Sequence, residues 1–118
     1  MEHFTYSFNE DIWNIYLIED NDDVITDEDV AALTKFEDKE LYFRRSEISK
    51  EIIIHELTHV YFGYCFLADT NEITLADAEE IFAALLSHKY YRIGQVTNEL
   101  YQKLIELRDK KTKGDNND

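Results

Sequence analysis

Two histidines and a glutamate interrupt the otherwise apolar stretch EIIIHELTHVYF at residues 51–62: His55, Glu56 and His59. Because four residues make about one helical turn, His55 and His59 project from the same side of a helix, where both imidazoles can reach one zinc ion at about 2.0–2.1 Å. Glu56 lies about 100° further round, within reach of a water beside the metal. The HExxH pattern therefore predicts two metal ligands and a general base. Two core histidines hydrogen-bonded to carbonyls are the structural alternative.

A third ligand is expected on a second helix, predicted over residues 75–91, where Glu79 and Glu80 are adjacent. In projection Glu79 falls inside the apolar arc of this helix, and Glu80 falls outside it beside Ser87. The arc comprises Leu75, Phe82, Ala83, Leu86 and Tyr90, with Ala78 and Leu85 on its other flank. A lone carboxylate that faces a core needs a positive partner, and zinc is such a partner. Glu79 is therefore the predicted ligand, and pairing with a basic side chain is the alternative.

The helix that carries the histidines is predicted over residues 47–62, with Ser46 as its cap and Gly63 as its end. Ile53, Ile54, Leu57 and Val60 occupy one face, while Ile48, Ile52 and Phe62 lie on the side of the histidines. A helix that is apolar on nearly all sides is buried. The two histidines are therefore expected to be at least partly desolvated.

The rest of the chain predicts an α+β fold: a small antiparallel or mixed sheet followed by three helices. Aromatic and β-branched runs at 3–8 and 13–19 indicate strands, and 33–45 indicates a hairpin whose second strand is ELYFRR. The acidic stretch 20–30 is predicted to be a loop or a short helix capped by Thr26. Gly94 is expected to end the second helix, and a third helix over 96–110 should pack through Leu100, Leu104 and Leu107. Residues 1–110 form one predicted domain, and the polar tail 111–118 is expected to be disordered.

Composition limits the partners of the protein. The 118 residues carry a formal net charge of −14, which disfavours nucleic acid and anionic membranes. Twelve acidic residues but only two lysines lie between Glu10 and Glu40, so this region is either a solvated surface or a face that docks a basic partner. No apolar run reaches the roughly 20 residues of a membrane span. The lone cysteine, Cys65, suits a reducing compartment, and a cytoplasmic location is expected.

The spacing of HELTH, nineteen residues and then Glu79 resembles the zinc-ligand pattern of thermolysin-like gluzincins. Residues 13–92 are similar to minimal zincins of the ImmA/IrrE and SprT kind, several of which are encoded by phages or mobile elements. The resemblance implies that His55, His59 and Glu79 hold Zn²⁺ and that Glu56 activates the water. It also implies that a peptide substrate lies antiparallel to the edge strand of the sheet, expected here at Leu41, Tyr42 and Phe43.

The chain departs from the thermolysin pattern at Ala83, which stands where those enzymes carry an aspartate that orients a histidine. Tyr90 and Tyr61 are candidate donors to the oxyanion or the substrate. Two functions follow from these residues. The first is a zinc metallopeptidase acting on a peptide or protein. The second is an acidic interaction or inhibitor protein, for example a phage anti-defence factor, that retains a structural or vestigial metal site and binds a basic protein.

Overall fold

The computed structural model describes residues 2–66 and 75–116, and it shows an α+β chain in which a four-stranded sheet precedes the helices. The predicted fold class is therefore confirmed. The strands are β1 (Glu2–Phe8), β2 (Asp11–Ile18), β3 (Ala32–Lys35) and β4 (Glu40–Arg44). A single 3₁₀ turn at residues 45–47 leads to α1 (Lys50–Phe66), α2 (Leu75–His88) and α3 (Tyr90–Asn116). None of the described helices is long and apolar enough to cross a membrane.

The sheet is mixed, with the strand order β1-β2-β4-β3. β1 and β2 form a hairpin whose two turn residues, Asn9 and Glu10, have φ values of 50° and 72°, as a type I′ turn requires. β4 pairs in parallel with β2 and antiparallel with β3, so β4 is an interior strand. The edge on the side of β4 is therefore β3.

This strand order corrects the predicted edge strand. Leu41, Tyr42 and Phe43 belong to β4, whose backbone is hydrogen-bonded on both sides, and all three side chains are buried. The hairpin itself was predicted correctly. Periodicity cannot tell which strand of a hairpin pairs with a third strand, and the structure places the second one inside because it is the more apolar.

The core lies between one face of the sheet and helices α1 and α3. Its fully buried members come from the sheet (Trp13, Ile15, Leu41), from α1 (Ile53, Leu57, Val60) and from α3 (Val96, Leu100, Leu104). The predicted packing of α3 through Leu100 and Leu104 is confirmed, and Leu107 is partly buried against the same cluster. Burial of side chains of this size contributes about 1.5–3 kcal/mol each, so this layer fixes the position of α1 on the sheet.

Helix α1 begins and ends later than the sequence predicts. The Ser49 hydroxyl, rather than Ser46, accepts a hydrogen bond from the Ile52 amide at 3.2 Å and caps the helix. Gly63 lies inside α1 with a negative φ, so it does not end the helix. A Cβ at this position would overlap the Phe36 ring, which stacks under the Lys39 ammonium 3.9 Å from its centroid. Glycine at 63 therefore allows α1 to approach the β3–β4 turn closely.

The other helix boundaries also differ from those predicted. The interruption between α2 and α3 falls at Lys89, and Gly94 lies within α3. Hydrogen bonds from Lys89 N to Leu85 O and from Ile93 N to Lys89 O link the two helices. Helix α3 extends beyond its predicted end at 110, to Asn116. Thr26 caps no helix, because 20–30 is irregular, and residues 67–74, 117 and 118 lie outside the described residues.

Candidate metal centre

His55 and His59 lie one turn apart on α1 with their side chains facing each other. Their Nε2 atoms are 3.3 Å apart and their ring centroids 5.0 Å apart. The Glu56 carboxylate completes the group: its Oε2 atom is 3.9 Å from His55 Nε2, and one ligand atom from each residue falls within 4.8 Å of the others. The predicted clustering of these three residues is therefore seen in the structure.

The donor set fits a divalent metal ion. Two nitrogens that bind one zinc ion at about 2.0–2.1 Å are about 3.3 Å apart when the angle at the metal is about 104–111°, close to tetrahedral. This is the Nε2 separation that the chain itself holds, 3.3 Å. A hydrogen bond between two imidazoles explains the same distance, so the geometry admits either interpretation.

The exposure of the three side chains differs from what the sequence predicts. The His55 side chain is 72% exposed and His59 is also exposed, whereas the Glu56 side chain is only 7% exposed. The expectation of desolvated histidines was wrong. Only the face of α1 with Ile53, Leu57 and Val60 packs on the core, and the histidine face is solvated among the described residues. The buried polar group of the motif is the carboxylate.

Glu56 is held by a residue that the sequence analysis missed. The Thr34 hydroxyl on β3 donates a hydrogen bond of 2.8 Å to Glu56 Oε1. This leaves Oε2 as the oxygen turned toward His55. A threonine on an amphipathic strand is ordinary in sequence, and only the pairing of β3 at the edge beside α1 reveals its role.

A cleft of about 570 Å³ opens between edge strand β3 and helix α1. The strand side and its turn contribute Ala32, Leu33, Thr34, Phe36 and Glu37, and the helix contributes His55, Glu56, His59, Phe62 and Gly63. Its volume is in the range of small-molecule and peptide sites. The two histidines and Glu56 thus face a cleft that has one wall of strand backbone.

The acidic loop between β2 and β3 contributes Val30 to the lining of this cleft. Arg44, buried beside the loop, donates from Nη2 to the carbonyl oxygens of Ile25 and Asp27, both at 3.0 Å. Asp20 accepts the Ser46 amide at 3.0 Å at the start of the loop. The predicted irregular segment is therefore an ordered wall, fixed from the sheet.

Glu79 is not part of this cluster in the described structure. Its side chain is exposed, and Phe82, Leu86 and Tyr90 of the predicted arc are 63%, 54% and 64% exposed. The interpretation of this arc as core-facing was wrong, because among the described side chains of α2 it is Leu85 that enters the core. Glu79 as a zinc ligand stays a prediction. The side chains of residues 65, 66, 75–78 and 81 lie outside the described residues.

The two candidate tyrosines do not line the cleft. Tyr61 is buried on another side of α1, near Arg92, and Tyr90 is mostly exposed. Among the described residues, the structure therefore places neither hydroxyl beside the histidines. Ala83, where thermolysin-like enzymes have an orienting aspartate, is exposed.

Comparisons of this chain with protein-family profiles, with curated proteins and with solved structures return no match.

Proposed function

We propose that the protein is a zinc-dependent metallopeptidase whose reaction centre is the cleft between β3 and α1. One observation carries the proposal: two histidine Nε2 atoms 3.3 Å apart share a cleft with a buried carboxylate that is not hydrogen-bonded at its second oxygen among the described contacts. A purely structural metal site has no need of such a base.

His55 and His59 would hold the ion, which when bound acts as a Lewis acid and lowers the pKa of water toward neutrality. Glu56 does the proton transfer. Oε2 accepts the proton of the attacking water and then delivers it to the nitrogen that leaves as the peptide bond breaks. Thr34 keeps Oε1 occupied, so that the carboxylate presents the same oxygen in both steps.

The substrate is expected to be an extended peptide beside β3. This strand is hydrogen-bonded to β4 along one side, so its other side offers backbone groups to an added strand. The strand to which a peptide would add is therefore β3 (Ala32–Lys35) and not β4, the strand expected from the resemblance. Phe36 and Phe62 lie in the same cleft and favour an apolar side chain near the cleaved bond.

The identity of the third zinc ligand can be tested directly. Glu79 is the candidate from the resemblance, and Glu80 is its matched control because both carboxylates are exposed on the same turn of α2. Zinc content should fall in Glu79→Ala and stay at the wild-type level in Glu80→Ala. If both variants keep zinc, Glu79 is not a ligand.

Activity is tested by digesting a complex peptide library with the zinc-loaded protein and identifying new termini by mass spectrometry. Wild type should produce a consistent set of termini, and Glu56→Gln should lose them by a factor of about 10² or more while still binding zinc. Equal termini from both proteins would exclude Glu56 as the base.

A second function, an acidic interaction protein with a vestigial metal site, is favoured by one observation. The face of α2 with Phe82 and Leu86 is apolar and exposed on a chain of charge −14. Such a face suits a partner that is basic around an apolar patch. Under this proposal Glu56→Gln retains full biological function, whereas under the first it loses function.

A further inference from the structure

A second cavity, of about 310 Å³, lies on another side of α1 from the histidines. Three parts of the chain meet there: the end of β1 with its turn, the C-terminal half of α1, and the junction between α2 and α3. They contribute Ser7, Phe8 and Asn9, then Tyr61 and Tyr64, then Lys89 and Arg92. None of these residues lines the cleft described above.

Two cations at one cavity are unusual in a chain with twelve basic and twenty-six acidic residues. Most other described basic side chains already have a carboxylate, a backbone carbonyl or an aromatic ring as a partner: Lys35, Lys39, Arg44, Arg45, Lys50, Lys103 and Arg108. Lys89 and Arg92 differ from these. Within the described part of the chain, no carboxylate lies within ion-pair distance of either side chain.

Two acidic residues on neighbouring elements accept hydrogen bonds from tyrosine hydroxyls. Asp11 accepts a hydrogen bond of 2.7 Å from the Tyr64 hydroxyl, which in turn accepts one of 2.7 Å from Trp13 Nε1. Glu99, further along α3, accepts a hydrogen bond from the Tyr6 hydroxyl. Both carboxylates keep their charge, but among the described residues neither forms an ion pair with Lys89 or Arg92.

Hydroxyl donors complete the lining. Arg92 lines the cavity together with Tyr61, and burial raises the pKa of Tyr61, so the Tyr61 hydroxyl stays protonated at neutral pH. That proton has no acceptor among the described contacts. Ser7 and Asn9 are exposed at the rim and add a hydroxyl and an amide.

We propose that this cavity binds a compact oxyanion, a phosphate or carboxylate group of a small molecule, between Lys89 and Arg92. A guanidinium fork with an ammonium and a neutral hydroxyl beside it matches the several oxygens of such a group. A long polyanion is excluded, because the charge of the whole chain repels it. The site is separate from the histidine cleft and does not depend on peptidase activity.

Binding is tested by following backbone amide shifts of the ¹⁵N-labelled protein during titration with sodium phosphate and, separately, sodium acetate. Sodium chloride at matched ionic strength is the control for screening. Saturable shifts at Tyr61, Lys89 and Arg92 are expected with an oxyanion and not with chloride. Saturation by phosphate assigns a phosphate-bearing ligand, and saturation by acetate alone assigns a carboxylate.

Variants separate this site from the metal centre. Lys89→Ala and Arg92→Ala should each weaken the binding about tenfold. Lys103→Ala is the control, because Lys103 lies on the same helix as Arg92 but over the Phe4 ring, and it should leave the binding unchanged. His55→Ala should also leave it unchanged, even if the metallopeptidase proposal fails. Shifts that are equal in chloride, that never saturate, or that persist in the Lys89→Ala/Arg92→Ala double variant would overturn the proposal.

Discussion

Arg44 and Glu56 are both charged residues that the fold buries, with 9% and 6% of the whole residue exposed, but their surroundings differ. Arg44 donates from Nη1 and Nη2 to backbone carbonyls of the acidic loop, while its Nε is buried without a hydrogen bond among the described residues. Glu56 has one oxygen bonded to Thr34 and the other turned toward His55 and an open cleft. A buried charge whose groups are bonded to the backbone supports structure. A buried charge with one oxygen facing a cleft is available for chemistry.

The two residues are also connected through the cleft itself. Arg44 holds the loop that carries Val30, and Val30 lines the cleft that Glu56 faces. Arg44 thus holds part of the cleft lining in place, whereas Glu56 is available for chemistry inside the cleft. Variants of the first should change the free energy of unfolding, and variants of the second should change function.

The largest loss of stability is expected for Arg44→Met. This change leaves the carbonyls of Ile25 and Asp27 without their buried donor, at about 1–3 kcal/mol for each unsatisfied group. Denaturant unfolding should show a loss of about 3 kcal/mol. Arg108→Met, whose side chain is about a third exposed, is the control and should change stability by less than about 0.5 kcal/mol. Equal losses of stability in Arg44→Met and Arg108→Met would mean that the buried hydrogen bonds of Arg44 do not stabilise the fold.

The next effect is expected at Gly63, where α1 meets the wall of the cleft. Gly63→Ala places a methyl group against Phe36, and overpacking of this kind costs about 1–3 kcal/mol. Gly94→Ala is the matched control, because a Cβ there meets nothing within 4 Å and should stabilise α3 by about 0.5–1 kcal/mol. Thermal unfolding of both variants should therefore move in opposite directions.

Thr34→Val should lower stability by about 1 kcal/mol, because Glu56 Oε1 loses its donor, and Thr34→Ser should restore most of that loss. Glu56→Gln keeps an oxygen that accepts from Thr34 and should change the free energy of unfolding by less than about 1 kcal/mol. Denaturant titration checks both. A Glu56→Gln loss as large as that of Arg44→Met would mean that the carboxylate is a structural group.

The smallest effect concerns pH. The Ser46 side chain and its amide lower the pKa of Asp20 below its ordinary value of about 3.9, so Asp20 stabilises the fold above that value. The contribution is lost as the pH falls through the lower, folded pKa. Asp20→Asn should therefore flatten the acid end of the stability–pH curve. A variant curve that keeps the wild-type slope as the pH falls below the ordinary aspartate pKa would contradict this.

Local patterns in the sequence predicted what depends on local geometry. One helical turn between His55 and His59 brought their nitrogens together, and the leucine spacing of α3 gave its buried face. The pairing of strands that are distant in the chain could not be predicted from the sequence. The sequence does not say which strand of the β3–β4 hairpin joins β2, so the edge strand and the role of Thr34 were missed.

Helix orientation was the second limit. α1 and α2 have apolar residues around most of their circumference, so periodicity does not select one face for the core. The histidines and the face of α2 with Phe82 and Leu86 were consequently predicted to be buried. In the structure these side chains are exposed. The sheet and α3 decide which face is covered, through contacts that are distant in sequence.

The central claim is that His55 and His59 hold a metal while Glu56 remains free to act on water. Elemental mass spectrometry of wild type, His55→Ala, His59→Ala and Glu56→Gln, each purified and resupplied with zinc, tests it directly. The account predicts one zinc per chain in wild type and in Glu56→Gln, and loss of zinc in both histidine variants. Wild type without zinc, or histidine variants that retain it, would contradict the account.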